Sequence, residues 1–98
     1  MVKEKHKAPM QYRVTYIING SAMPSSNYYN AFESSEAVID LSHTLSKNKL
    51  VKTITIISVD EFCPYRNKWM DKTEKAIEKT DKTYLSKNII FNKNALTE

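Results

Sequence analysis

Only a few residues in this chain have types that could support catalysis. Asp40 and His43 lie three residues apart, so a helix would place them on one face, where a carboxylate can orient a histidine as a general base. No nucleophile or second acid lies near them in the sequence. Cys63 is the single cysteine, and the acids Asp60 and Glu61 that precede it disfavour a negatively charged thiolate. The pattern therefore favours a chain that is not an enzyme.

Metal and nucleotide sites have equally little support in the sequence. The two histidines, His6 and His43, have no zinc-like spacing, and a single cysteine excludes both a cysteine-based zinc site and an internal disulfide. Gly20 is the only glycine, so no glycine-rich phosphate loop can form. No cofactor and no metal is expected.

The aromatic residues are the most informative chemical feature, because the chain contains six tyrosines and one tryptophan. Tyrosine and tryptophan often anchor protein interfaces, since they combine a large rigid area with a polar tip. The run from Tyr65 to Trp69 mixes aromatic and cationic side chains, as protein interfaces and nucleic-acid stacking surfaces do. Adjacent tyrosines on a strand must point to opposite faces. The predicted partner-binding residues are Tyr28, Tyr29, Tyr65, Arg66, Lys68 and Trp69.

A β-hairpin is predicted as the element that begins the folded part. Residues 11–18 alternate Tyr, Val, Tyr and Ile with mostly polar neighbours, which is typical of a half-buried strand. Asn19-Gly20 follows, and these two types best tolerate the positive φ of a type I′ turn. Pro24 cannot donate to a sheet ladder, so strand pairing is expected to resume over 27–32.

A helix and a third strand are predicted next. The run Glu33-Ser34-Ser35-Glu36 is typical of a helix start with a serine cap, and the basic residues around Asn48 favour its end there. Residues 50–59 are the most apolar and most β-branched stretch and predict a central strand. The sequence thus predicts an α+β core over 11–62: a three-stranded antiparallel sheet (β-β-α-β, order 2-1-3) with one packed helix.

The rest of the chain is predicted to form three simpler parts. Residues 63–87 read as a long C-terminal amphipathic helix, residues 88–98 as a tail, and residues 1–10 as a flexible basic arm. An apolar stripe on that helix exceeds what the small sheet can cover, so a homodimer is expected. The stripe consists of Trp69, Met70, Ile77 and Tyr84.

Length and charge restrict the class of protein. Ninety-eight residues suffice for one domain. The net charge of +4 lies at the two ends, because residues 1–10 carry +2, residues 11–62 carry −1 and residues 63–98 carry +3. Nucleic-acid binders usually concentrate charge on one element. The charged start is followed by no apolar segment, so neither a secretory signal nor membrane insertion is expected, and the predicted location is cytoplasmic.

Four segments carry a resemblance that covers about half of the chain. They are the strand Tyr12-Arg13-Val14-Thr15-Tyr16, the Asn19-Gly20 turn, the helix entry from Ala31 to Ala37, and the run from Ile57 to Phe62. Together with the Lys-, Asn- and Ile-rich composition, they resemble small accessory proteins of bacteriophages and their low-GC hosts. The resemblance implies a non-catalytic inhibitor that binds a host protein, such as a component of a bacterial defence system, in the host cytoplasm.

The segment from Tyr12 to Leu45 is also similar to the arm-type DNA-binding domain of tyrosine integrases. That family has a strand rich in Tyr, Arg and Val, a polar turn, and then Phe and a Glu-Ala helix start. Here two strands precede the helix instead of three, and Arg13 and Lys52 are few charges for a sheet that binds DNA. A host protein is therefore the first expected partner, and a small DNA-binding module is the alternative.

Overall fold

The computed structural model describes residues 8–80 and 88–91 of the chain. Seven elements follow one another in these ranges: β1 (Met10–Ile18), β2 (Ser25–Ala31), α1 (Ser34–Ser46), β3 (Thr53–Cys63), β4 (Lys68–Asp71), α2 (Thr73–Lys79) and β5 (Asn88–Phe91). The predicted α+β class is confirmed. The predicted sheet size is wrong, because five strands rather than three form one sheet.

The sheet is built around β1 and β3, which lie side by side and run antiparallel. Its path is β2-β1-β3-β4, and all neighbours along this path are antiparallel. The first three strands thus lie in the order expected from the sequence. The additional strands both pair with β3, β4 antiparallel and β5 parallel.

The second edge of β3 is shared between two short strands and one side chain. β5 pairs with residues 53–56, and β4 pairs with residues 60–63. Between them, the Val59 amide donates to the Thr73 hydroxyl at 2.9 Å, and the Val59 carbonyl accepts from the Lys72 amide at 2.8 Å. The start of α2 therefore satisfies the edge of β3 where neither strand reaches.

One hydrophobic core lies between the sheet and the two helices. Alternation along β1 sends Tyr12, Val14 and Tyr16 into it, as the period-2 pattern predicts. The other buried apolar members are Ala31, Ala37, Val38, Leu41, Val51, Ile54, Ile56, Val59 and Ala76. Both helices thus contribute to the same core and cover the same face of the sheet.

Asn19 ties the end of β1 to the start of β3. Asn19 and Gly20 both have positive φ, at 54° and 73°, and Ser21 N donates to Ile18 O at 2.9 Å, so the predicted turn forms. The Asn19 side chain accepts from the amides of Lys52 and Thr53 at 2.7 and 3.0 Å, and it donates to the Leu50 carbonyl at 2.7 Å. The turn residue therefore also orders the loop that leads into β3.

The start of α1 differs from the prediction in its cap. The helix begins at Ser34, but its N-cap residue is Glu33, which makes no side-chain capping bond. The serines at 34 and 35 are instead largely buried inside the first turn. The Glu36 carboxylate accepts from the Phe32 amide at 2.9 Å, one residue before the N-cap, so it fastens the chain that enters the helix rather than forming the reciprocal bond of a capping box.

The predicted long helix over 63–87 is wrong. Its first part is the end of β3, a turn and β4, and its middle part is the seven-residue α2. Asn67 adopts a φ of 54° in the turn, so the chain reverses there and β4 returns along β3. Trp69 and Met70 consequently lie on opposite faces of a strand rather than on one helical stripe, and Tyr84 lies outside the described residues.

The predicted tail contains the last described strand, because Ile89, Ile90 and Phe91 belong to β5. The predicted arm lies mostly outside the described residues, and β1 already begins at Met10. Neither helix within residues 8–80 is long and apolar enough to cross a membrane.

Candidate functional site

The sheet has one face that neither α1 nor α2 covers. Tyr12 is buried on the helix side, and its hydroxyl donates to the carboxylate of its strand partner Glu61 at 2.6 Å. The neighbouring pair, Arg13 and Asp60, must therefore lie on the other side of the sheet. We call this other side the open face.

Trp69 is the centre of an aromatic cluster on the open face. Its ring lies 5.3 Å from the ring of its strand partner Phe62 in an edge-to-face arrangement, and 6.0 Å from the ring of Tyr28. The Arg13 guanidinium lies 4.5 Å from the Trp69 ring centre, which is within range of a cation–π contact. The indole of β4 is thus held by side chains from the other three strands of the path β2-β1-β3-β4.

The positive charge of this cluster is already neutralised within the sheet. The Arg13 Nε and Nη2 atoms donate to one Asp60 carboxylate oxygen at 3.2 and 3.0 Å. Asp60 pairs with Arg13 on one side and with Asp71 on the other. The open face therefore presents aromatic surface and the Arg13–Asp60 ion pair, and it has little net positive charge.

The structure places the six predicted partner-binding residues in three locations. Tyr28 and Trp69 meet on the open face. Tyr65 and Arg66 lie exposed in the turn between β3 and β4, with Tyr65 97% accessible, and Lys68 begins β4 beyond that turn. This turn is beside the aromatic cluster, because β4 carries Trp69 directly after it.

Tyr29 is separated from the other five predicted residues. It points to the helix side, where its hydroxyl donates to the Thr44 hydroxyl of α1 at 2.9 Å and accepts from the Asn27 amide at 3.0 Å. The expectation that Tyr28 and Tyr29 face opposite ways is confirmed. Because Tyr29 fastens α1 to β2, it contributes to the fold and not to the open face.

Two members of the cluster, Arg13 and Phe62, were not among the predicted site residues. Arg13 lies at one of the β1 positions that alternate with the buried residues of that strand, and it pairs directly with Tyr28. Phe62 pairs with Trp69. A residue pattern along one strand can show which side each side chain takes, but only the register between strands shows which side chains meet.

The residues considered for catalysis form no constellation in the described ranges. Asp40 lies half-buried on α1, where burial and then the nearby Glu36 raise the pKa of its carboxyl, while His43 lowers it. Burial and the Glu61 carboxylate raise the pKa of the Tyr12 hydroxyl, which keeps it a proton donor at neutral pH. Within residues 8–80 and 88–91, no group of three or more His, Cys, Asp or Glu side chains is placed to hold a metal ion.

Comparison with known proteins gives no relative from which a function could be transferred. No protein-family model matches the chain, and neither a curated protein nor a solved structure shows a significant match. The function of this chain is therefore inferred from its own residues and geometry.

Proposed function

We propose that this chain is a non-catalytic binding protein that recognises a protein partner through its open face. The observation that supports this most directly is the Trp69 cluster, in which an exposed tyrosine and an arginine hold an indole in place on a face that the helices leave free. Large aromatic side chains whose conformation is fixed before binding lose little entropy on association and are typical interface anchors.

The charge of the open face favours a protein over a nucleic acid. A sheet that binds DNA or RNA needs cations that can neutralise phosphates. Arg13 on this face is committed to Asp60, and Arg66 and Lys68 lie at the margin, in or next to the turn. Nucleic-acid bases can also stack on aromatic side chains such as Trp69 and Tyr28. For this reason a DNA-binding module is the alternative function.

The partner is proposed to be a protein of a bacterial host. This part depends on the resemblance of the segment from Tyr12 to Phe62 to phage accessory proteins, which act in the host cytoplasm by binding host components. Inhibition of a defence or other host system is the activity that such a binder would have. A surface built on side-chain anchors, without a catalytic group, suits inhibition by occupation of a functional surface.

A capture experiment with matched variants tests the proposal. The tagged chain is incubated with bacterial lysate, with and without nuclease, at low and moderate salt. We expect a discrete protein that survives nuclease and is retained at moderate salt. Tyr28→Ala should weaken retention by about 30-fold, the effect of losing a hot spot of about 2 kcal/mol. Tyr28 is 55% exposed, so the fold should survive its truncation.

Leu50→Ala is the matched control, because Leu50 is also a large exposed side chain but lies in the loop before β3. It should leave retention unchanged. Equal loss in both variants would refute recognition by the open face. Material that disappears with nuclease and falls steeply with salt would refute the protein partner and support the DNA-binding alternative.

A further inference from the structure

A cleft lies on the helix side of the sheet, away from the open face. Its volume is about 200 Å³, so only a small molecule or a single group could enter it. It opens between the start of α1 and the side of α2, with the Tyr12–Glu61 pair also in its lining. Its lining residues are Tyr12, Phe32, Glu33, Ser34, Glu61, Lys72, Lys75 and Lys79.

Lysines dominate the charge of this cleft, because three of them face two glutamates. Each glutamate already has a partner: the Glu61 carboxylate accepts from the Tyr12 hydroxyl at 2.6 Å, and Glu33 lies 3.8 Å from the Lys79 amine. Within the part of the chain that the structure describes, the amines of Lys72 and Lys75 have no carboxylate within ion-pair distance. The cleft therefore holds uncompensated positive charge.

The start of α1 adds neutral donors to the same cleft. Ser34 is only 6% exposed, and its hydroxyl has no hydrogen-bond partner among the described residues. No fully enclosed side-chain oxygen or nitrogen in those residues lacks a partner, so this hydroxyl retains some solvent exposure, and Ser34 is one of the residues that line the cleft. The N-cap residue Glu33 makes no side-chain cap, so the first amides of the helix are not capped by it.

We propose that this cleft binds a small phosphate monoester. Two unpaired ammonium groups, a free hydroxyl and the positive end of a helix are the donors that phosphate sites use. Lysine binds phosphate as a point charge, and three lysines around one cleft favour a phosphate dianion over a carboxylate monoanion, because the attraction rises with the charge of the ligand. Phe32, which is 45% exposed at the rim, provides an apolar contact for the organic part of the ligand.

The proposal is tested by titrating the full ¹⁵N-labelled chain at constant ionic strength with inorganic phosphate, phenyl phosphate and benzoate. We expect saturable shifts centred on the Ser34 and Ser35 amides, with a Kd of about 1 mM for phenyl phosphate. Inorganic phosphate should bind more weakly, because it lacks the ring that contacts Phe32. Benzoate that binds as tightly as phenyl phosphate would overturn the assignment to phosphate, as would shifts that do not saturate.

Two pairs of charge-matched variants separate a site from general attraction to a basic protein. Replacing Lys72 and Lys75 with methionine should weaken phenyl phosphate binding by at least about tenfold. The same replacement at Lys47 and Lys49, which lie outside the cleft, should leave it unchanged. Equal losses in the two double variants would overturn the site.

The second pair makes the test independent of any variant that fails to fold. Glu33→Gln removes a negative charge from the cleft and should tighten binding, whereas Glu74→Gln, outside the cleft on α2, should not. Binding should also tighten as the pH rises through about 6, where a phosphate monoester becomes a dianion. Binding that is insensitive to both changes would refute the proposal.

Discussion

Thr73→Val is the substitution whose effect follows most directly from the sheet. Thr73 is 2% exposed, and its hydroxyl accepts from the Val59 amide at 2.9 Å and donates to Asp71 Oδ1 at 2.6 Å. Valine has nearly the same shape, so it would fill the same space without the oxygen. The Val59 amide would then be left without an acceptor in the middle of β3, between the segments that β5 and β4 cover.

The magnitude follows from the cost of an unsatisfied buried donor, which is about 1–3 kcal/mol. The Asp71 carboxylate is exposed, so water can replace the bond that it loses and adds little to this figure. We therefore expect the free energy of unfolding to fall by about 2 kcal/mol, which corresponds to a decrease in Tm of about 8–16 °C for a domain of this size.

Urea denaturation of wild type, Thr73→Val and Thr73→Ser measures this effect. Serine keeps the hydroxyl and removes one buried methyl group, so we expect it to cost about 1 kcal/mol. The order of the two stabilities is the decisive result, because the variant with valine is expected to be less stable than the variant with serine although valine is larger and more apolar. If Thr73→Val is as stable as Thr73→Ser or more stable, the hydroxyl does not satisfy the β3 edge and the reasoning is refuted.

Three further substitutions test single features of the fold by thermal denaturation. Gly20→Ala should cost about 1 kcal/mol, purely from its φ of 73°, since a Cβ there would meet no atom within 4 Å; an unchanged Tm would contradict the left-handed turn. Asp40→Asn should raise Tm at neutral pH, because burial and Glu36 raise the pKa of Asp40 and so destabilise the charged folded form. This gain should vanish below about pH 3.8, the ordinary pKa, where folded and unfolded carboxyls are both protonated. Burial and Glu61 raise the pKa of the Tyr12 hydroxyl in the folded chain, so stability should fall as the pH rises above about 10, where the unfolded phenol ionises first. Tyr12→Phe should reduce that fall, and a dependence of Tm on pH identical to that of the wild type would contradict this expectation.

The core of this fold could be predicted from the sequence because the patterns that indicate it are local. Alternation from Tyr12 to Tyr16, the Asn19-Gly20 turn and the start of α1 each depend on residues adjacent along the chain. The sheet order of the first three strands then follows from the directions of the elements. The helix cap was missed because serine at 34 or 35 matches the preference at a cap, whereas the chain enters the helix one residue earlier.

The region after Cys63 could not be predicted because its structure depends on a distant strand. The turn at Asn67 has no glycine to mark it, and a four-residue strand such as β4 is too short to show alternation. What selects β4 over a helix is the unpaired edge of β3, to which Trp69 and Met70 can pair. A spacing of apolar residues that suits a helical stripe was therefore overridden by tertiary hydrogen bonding.

The candidate site was predicted in part for the same reason. The aromatic character of Tyr28 and Trp69 is visible in the sequence, but their contact joins the first and last strands of the path β2-β1-β3-β4. No sequence pattern indicated the cleft with Lys72 and Lys75, because its lining residues come from β1, β3, α1 and α2 and from the residues around them. Sites of this kind exist only once the register of the sheet is set.

The hydrogen bonds of the Asn19 side chain have a consequence for the chemical ageing of the protein. An asparagine followed by glycine is prone to deamidation, because the glycine nitrogen meets little steric hindrance when it attacks the side-chain carbonyl carbon. In the folded chain that carbonyl is turned toward the amides of Lys52 and Thr53, and the amide nitrogen is bound to the Leu50 carbonyl. We therefore expect deamidation to proceed mainly from molecules in which this end of the sheet has opened, so its rate in storage would report how often that opening occurs. Where the resulting succinimide opens to aspartate, a carboxylate oxygen would stand against the Leu50 carbonyl in place of the donating amide nitrogen. Where it opens to isoaspartate, an extra methylene would enter the backbone of the turn, so either product would hinder this end of the sheet from closing again.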